Sequence, residues 1–422
     1  MIKSVAGTKD ILPVDIHKWN YVEDIVKKIF SSFNYKEIRT PIFEETSVFY
    51  RSIGEETDIV SKEMYTFLDR SKTSITLKPE MTAAVVRAFI EHSMGNSQSL
   101  NKLFYISPMF RQERPQAGRF RQFHQFGAEA LGSNSPYLDA EIIILAFLII
   151  KKLGIKNISV KINSLGVPES REKYKILLSD YLKEHYSKLS EESKKRFEKN
   201  ILRIFDSKSP EDQEILKNAP SLLDYLDENS LQHFAIVKKV LEENEIKYHV
   251  DPSLVRGLDY YTHTTFEIVS ESIGAQSALC GGGRYDNLIE QLGGKKTPGV
   301  GFAAGIERLI LAMENEGIPF PNDNQLDAYL VLLDKDKEFL VNKFGYVLRN
   351  SGIKVDYDYL NRSIKAQMRE ANRENAKFVV FIGGDEFSRG VLLLKNMTDG
   401  TQSEILIQEN LESLIMIMRG SN

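Results

Sequence analysis

Residues Leu103 to Leu131 read LFYISPMFRQERPQAGRFRQFHQFGAEAL, and their pattern decides the fold. Leu103 to Arg111 and Gln122 to Leu131 have strand-like composition, and the polar segment between them holds Pro115 and Gly118. The stretch is therefore expected to form a strand–loop–strand hairpin. Arg111, Arg114, Arg119 and Arg121 crowd its tip. A guanidinium stays charged and presents a planar fork of donors, which suits phosphate oxygens. Glu113 is the carboxylate among them; it is able to accept from an exocyclic amine such as that of adenine. Phe123 offers a ring face to a base. The plainer alternative is a solvated basic tip with a surface salt bridge, and the hairpin alone leaves both open.

Upstream, Asp15 to Phe33 repeats apolar residues at helical spacing, and Tyr35 to Ile42 reads as a strand running into Thr40-Pro41. Ser74 to Lys78 is a short strand and Thr82 to His92 a helix. Between them, Lys78-Pro79-Glu80-Met81-Thr82 suits either a substrate ammonium or an N-terminal cap. Downstream, residues about 166 to 245 turn rich in Lys, Glu, Ser and Leu and read as a helical insertion. Strands return at Lys247 to Asp251 and Tyr260 to Val269. Arg256 stands just before Tyr260-Tyr261, a placement that suits anion stabilisation in a cleft. After Gly281-Gly282-Gly283 come the turn Thr297-Pro298-Gly299 and an apolar helix to about Met313. Its glycines are spaced G-x-G-x-x-x-G without a βαβ unit, which is not the dinucleotide fingerprint. Arg308 lies off the apolar face of that helix, a placement that suits a phosphate.

Residues 314 to 325 read as a linker. Strand, helix, strand, helix, strand then alternate from Ala328 to Ile382, the pattern of a small α/β domain with a partly parallel sheet. Arg362, Lys365, Arg369, Arg373 and Lys377 recur every three or four residues and would form one basic stripe on a helix, with Glu370 and Glu374 nearby. The stripe fits nucleic-acid phosphates or a merely solvated face.

Composition excludes other classes. The 422 residues are 42% hydrophobic and 27% charged, with a formal net charge of −4. Any nucleic-acid binding must use local basic stripes. Cys280 is the sole cysteine, so neither a disulfide framework nor a thiolate zinc site is expected. The start MIKSVAGTKDILP lacks the apolar core of a signal peptide, and the longest apolar run, Ile142 to Ile150, is too short to span a membrane. A cytoplasmic location is expected. There is no Walker loop, and the seven histidines show no metal-site spacing. His124 and His263 are expected to be structural or surface residues.

Taken in order, the FRQE hairpin with its RxxxF return, the G-x-G-x-x-x-G-x-E-R segment and the upstream Thr40-Pro41 strand resemble the three motifs of class II aminoacyl-tRNA synthetases. LKPEMT (77–82), RQFHQFGAE (121–129), LVRGLDYY (254–261) and CGGGRYD (280–286) are similar to the histidyl-tRNA synthetase family, nearly from end to end of the chain. The resemblance implies an α+β fold. An antiparallel catalytic sheet flanked by helices would fill 1–325, with the insertion at about 166–245. An α/β anticodon-binding domain would fill 326–422. It implies L-histidine, ATP with Mg²⁺, and tRNA(His) as substrates and partners, a homodimer joined near Tyr35 to Phe49, and no resident metal. Arg111 would hold the α-phosphate and the substrate carboxylate, and Arg256 would act as electrophile at that phosphate. Glu113 and Phe123 would take adenine, and Arg119 and Arg308 the outer phosphates. Glu80, Thr82, Gln125, Glu129, Tyr260 and Tyr261 would surround histidine, with Arg111 and Arg256 at its carboxylate. Gln116 would approach the acceptor end of tRNA, and Arg362, Lys365, Arg369 and Arg373 its phosphates. Met81 departs from the glycine common in relatives; its side chain either points away or narrows the pocket. The alternative is a non-catalytic, synthetase-like regulatory subunit of histidine biosynthesis, which typically lacks the last domain and parts of the catalytic set.

Overall fold

The computed structural model describes residues 2–54, 57, 59–114, 118–255, 258, 260–274, 277–321, 325–408 and 410–420. Two compact units divide the chain, Met1–Phe320 and Pro321–Asn422.

The first unit contains β1 (Lys36–Glu37), β2 (Phe43–Glu45), β3 (Tyr65–Leu68), β4 (Ser74–Leu77), β5 (Asn101–Phe110), β6 (Gln122–Leu131), β7 (Ile158–Ser164), β8 (Tyr248–Val250), β9 (Thr262–Ser270), β10 (Ala278–Arg284) and β11 (Gly299–Gly305). Eight of them make one sheet in the order β1-β5-β6-β11-β10-β9-β7-β8. Only the outermost pairs, β1 with β5 and β7 with β8, are parallel. The opening hairpin is the long one, pairing Asn101 with Leu131 through to Phe110 with Gln122. β2, β4 and β3 form a separate small sheet.

Side chains alternate across a strand, so the two faces of the large sheet can be read off the register. One face presents Phe126, Ala128, Ala130, Phe302, Ala304, Phe266 and Ile268, all in the main apolar core. Against it lie α1 (Ile16–Ser32), α3 (Pro136–Lys152) and, later in the chain, a helix after β11, while α2 (Thr82–Glu91) packs in the second apolar cluster. α3 is apolar almost all round and nine of its residues are buried, as expected for a helix at the centre of a core. Each fully buried Ile or Leu there contributes about 1.5–3 kcal/mol. The other face presents Gln125, Gly127 and Glu129, then Gly301, Ala303 and Gly305, then Gly281 and Gly283, then Thr265 and Glu267. Small and polar residues thus floor an open cleft. Among the helices after β7, α4 (Pro168–His185) packs in the second apolar cluster through Tyr174, Leu178 and Leu182, whereas α5 (Glu228–Glu243) packs in the main core through Phe234, Val237 and Leu241. The helix after β11 is α6 (Ile306–Asn315).

Two sequence expectations change. Tyr35 to Ile42 is not a full strand: only Lys36 and Glu37 pair, opposite Leu103 and Phe104, and Pro41 lacks the N–H that further pairing needs. The glycine-rich segment before Arg308 is not a turn leading directly to a helix. It is β11, in the middle of the sheet. Its low strand propensity is overridden because side chains would not fit: a Cβ on Gly301 would lie 1.9 Å from Glu129 Oε2.

The second unit holds β12 (Ala328–Leu332), α7 (Glu338–Asn350), β13 (Val355–Tyr357), α8 (Ile364–Arg373), β14 (Phe378–Ile382), β15 (Val391–Asn396) and β16 (Gln402–Leu406). Its sheet runs β13-β12-β14-β15-β16, parallel in the first three strands and antiparallel in the last two.

Candidate active site

One end of the cleft is a buried polar cluster. Glu129 projects from β6 with no solvent exposure, and its Oε1 accepts from Thr82 Oγ1 at 2.7 Å. The Tyr285 hydroxyl donates to its other oxygen. Burial pushes the Glu129 carboxyl up to about 8; the Tyr285 and Thr82 hydrogen bonds oppose this and the nearby Glu80 reinforces it. Glu80 is also buried, and burial raises its carboxyl despite the amides of Ala83 and Thr82 that it accepts from at 2.9 and 2.7 Å. Glu80 therefore caps α2, and the capping alternative holds for its geometry. Thr82 instead turns to Glu129, so the two residues part company. Met81 is buried in the second apolar cluster, and its sulfur accepts from Thr40 Oγ1 at 3.5 Å.

Tyr260 and Tyr261 are buried beside this cluster, their rings 4.7 Å apart, and Tyr260 meets Tyr285 edge-on at 5.6 Å. Arg171 of α4 donates to the Tyr261 carbonyl at 2.8 Å, so the insertion fixes the tyrosine pair. Gln125 lies two residues before Gly127 on the same face, and its Oε1 is buried without a hydrogen bond. A buried carbonyl oxygen left unpaired costs about 1–3 kcal/mol, a debt that a ligand N–H would remove.

The other end is cationic. A cavity of about 350 Å³ is lined by Arg111, Glu113, Arg119, Phe123, Gln125 and Arg308, among others. Arg111 donates to the Pro79 carbonyl at 2.9 Å and lies 5.4 Å over the Phe123 ring. Glu113 bridges Arg111 at 3.6 Å and Arg119 at 3.0 Å. Arg308 donates to Ala278 O at 2.7 Å; burial lowers its guanidinium below the usual range, and the neighbouring Arg119 adds to the effect. Glu307, which also lines this cavity, accepts from the backbone and ring nitrogens of His124.

The hairpin, LKPEMT, the tyrosine pair and Arg308 are thus brought to one cleft. Arg256 and Gln116 lie outside the described residues. Sequence reasoning assigned no part to Tyr285 or Tyr105. Tyr105 was legible from strand alternation, because it sits opposite Gly127 on the cleft face. Tyr285 was not, since it follows a strand end and only the bend there aims it at Glu129. In the second unit the continuous basic stripe does not form. The helix spans only Ile364–Arg373, and Arg362 precedes it, paired with Asp358 and, at 2.9 Å, with Glu370. Arg373 also pairs with Glu370, and Lys377 with Asp327 at 2.9 Å. Lys365 and Arg369 remain exposed on the helix.

Comparison with known proteins agrees in order and extent. The family profile described as histidyl-tRNA synthetase matches residues 7–309, and that described as anticodon binding domain matches 327–415. The histidine–tRNA ligase of Halothermothrix orenii is 52% identical over 98% of this chain and 99% of its own length. That of a Geobacillus strain is 51% identical over 94% and 95%. The crystal structure of apo S. aureus histidyl-tRNA synthetase superposes with a TM-score of 0.84 at 41% identity, covering 99% of this chain and all of the other.

Proposed function

The chain belongs to the histidyl-tRNA synthetase family, which makes it a ligase joining histidine to tRNA, and on that premise we propose how its residues divide the work. Histidine lies on Gln125 and Glu129, with Glu80, Thr82, Tyr260 and Tyr261 around it. Its carboxylate points toward Arg111 and Arg256. ATP lies along Arg111, Glu113, Arg119, Phe123 and Arg308. The carboxylate attacks the α-phosphorus in line and pyrophosphate leaves. Anion meets anion, so the task is positioning and neutralisation. Arg111 and Arg256 answer the charge growing at the α-phosphate, and Arg119 and Arg308 the charge on the leaving group. The terminal hydroxyl of tRNA then attacks the mixed anhydride, and no covalent enzyme intermediate is required.

The observation that carries this reading is the polarity of the cleft. A dry, hydrogen-bonded carboxyl cluster around Glu129 sits at one end and three arginines line the other, with the unpaired Gln125 oxygen between. Among the described residues no three acidic, histidine or cysteine side chains gather as a metal cage. Mg²⁺ would arrive on the phosphates of ATP, where it would offset their charge. Gln116 would face the acceptor end of the tRNA, and Lys365, Arg369 and Arg373, with Arg362 held beside them, its phosphates. Residues 1–325 would act as the catalytic domain and 326–422 as the anticodon domain. Exposed Ile42 and Phe43 support a homodimer contact near residues 35–49. No helix is long and apolar enough to cross a membrane among the described residues, in keeping with work in the cytoplasm. The test is histidine-dependent ATP–pyrophosphate exchange, expected for the intact protein and largely abolished by Arg256→Ala. Robust exchange with proline or threonine but not histidine would sink the assignment.

A further inference from the structure

β10 ends on Arg284, whose side chain has no solvent exposure. A buried guanidinium is tolerated only when its charge and its N–H groups are paired. Here Nε donates to both carboxylate oxygens of Asp139, at 2.9 and 3.1 Å. Nη2 donates to Asp139 as well and, at 3.3 Å, to the Ser135 carbonyl. Nη1 donates to the Ser133 carbonyl at 2.9 Å and to Asp286 at 3.0 Å. Tyr285 stands between Arg284 and Asp286. Its own N–H donates to the Gly299 carbonyl at 2.7 Å, and the N–H of Asp286 to Thr262 Oγ1 at 3.2 Å. Three consecutive residues are thus pinned, and the pinning sets the direction in which the Tyr285 hydroxyl leaves the bend toward Glu129.

Asp139, in the first turn of α3, serves a second donor. His233 of α5 meets its Oδ2 through Nε2 at 2.7 Å, and a carboxylate can only accept. Burial works against the Asp139 carboxylate, but Arg284 and His233 outweigh it and hold the group below its ordinary range. The His233 ring stacks on that of His263, 5.0 Å away and 20° from parallel. His263 has a φ of 42°, in the left-handed region, and is held there because Gly166 and Leu165 take its N–H and carbonyl at 2.9 and 2.7 Å. Its Nδ1 lies 3.4 Å from Ser230 Oγ of α5, and its Nε2 lies 3.8 Å from Asp286. The groups therefore close a loop, from Arg284 through Asp139, His233 and His263 to Asp286 and back. The grip of α5 on the sheet lies elsewhere, in Phe234, Val237 and Leu241 of the main core.

We propose that His233 is a positioning residue for the amino-acid site: through Asp139 and Arg284 it fixes the bend that aims Tyr285 at Glu129. The proposal rests on the reading of the Glu129 cluster as the histidine pocket, and adds a residue of the insertion that acts on that pocket through two intermediaries. With Oδ2 held by His233, the Asp139 carboxylate keeps both oxygens facing the guanidinium. Without that donor one oxygen is stranded or takes water, and the carboxylate is free to turn about its Cβ–Cγ bond. Arg284 then loosens, and Glu129 keeps Thr82 but loses a well-aimed Tyr285. An ion pair kept for stability alone needs only Asp139 and Arg284. The histidines add direction, which is what a hydroxyl aimed into a dry pocket requires.

The full chain is assayed by histidine-dependent ATP–pyrophosphate exchange, with thermal unfolding measured alongside. His233→Leu should raise KM for histidine about 2- to 10-fold, the worth of one hydrogen bond, and leave KM for ATP within about twofold. His233→Gln retains a donor and should stay within about twofold of the parent for both substrates. A double-mutant cycle with Tyr285→Phe then separates orientation from general weakening. If His233 acts through the Tyr285 hydroxyl, His233→Leu raises KM for histidine no further once that hydroxyl is gone. Additive effects overturn the proposal, as do an unchanged KM for histidine in His233→Leu, an equal loss in His233→Gln, or an equal rise in KM for ATP. His233→Ala, smaller than the ring it replaces, is measured beside the leucine variant. Failure of both to fold would make His233 a stability residue and also overturns it. A parent without histidine-dependent exchange fails the ligase reading itself, a result distinct from a parent that exchanges normally while His233→Leu leaves KM where it was.

Discussion

The two ends of the cleft solve opposite problems. Around Glu129 the groups are buried and hydrogen-bonded to one another through Thr82 and Tyr285. Around Glu113 they are charged and partly wet, with Arg119 39% exposed and Arg111 20%. Burial makes each hydrogen bond at the first end selective, because a ligand lacking the right partner leaves a polar group stranded. The second end needs net positive charge more than shape, and water tempers each pair there. Under the proposed function, recognition of the amino acid and neutralisation of ATP would fall to differently solvated halves of one sheet face, with Arg111 where they meet.

Substitutions at each end should separate the two effects. The largest is expected at the junction: Arg111→Ala should lower kcat of histidine-dependent exchange about 10²- to 10³-fold, the usual worth of a group answering transition-state charge. A fall below tenfold would mean that the two ends do not meet there. Next, Glu129→Gln should raise KM for histidine roughly 10- to 100-fold with KM for ATP unchanged. The same variant carries a stability signature. The Glu129 carboxyl is held at about 8 in the fold against an ordinary 4.5. Its contribution to stability is thus complete below about pH 4.5 and is lost as pH rises through 8. Glutamine does not titrate, so thermal unfolding of the variant relative to its parent should move upward between pH 6 and 9, by roughly 2–5 °C. A difference independent of pH would show that the buried carboxyl is not strained. The smallest effect is expected at Glu113→Ala, about 2- to 10-fold on KM for ATP, since its ion pairs are partly hydrated. An equal rise in KM for histidine would dissolve the division between the ends.

Much of this cleft was legible in the residues. The hairpin was visible from Leu103 to Leu131 because alternation and turn residues agree there. The order of FRQE, RGLDYY and G-I-E-R pointed to the family before any coordinate. What stayed hidden was non-local. Nothing near Gly301 announces a central strand; its glycines answer to Glu129, more than 170 positions earlier, whose carboxylate occupies the space a Cβ would fill. The basic stripe failed for a similar reason. Spacing put Arg362 in line with Lys365 and Arg369, yet Asp358 and Glu370 claim its guanidinium.

The sequence by itself determined the long hairpin, the alternating second unit and the order of motifs that marks the family. Periodicity and motif order are local properties of a chain, so they can be read without folding it. Only the tertiary structure decided which of those side chains share one dry pocket, which arginines are already spoken for, and that Tyr285 completes the partners of Glu129. Burial and pairing are relations between distant residues, and they acquire values only when the sheet brings those residues together.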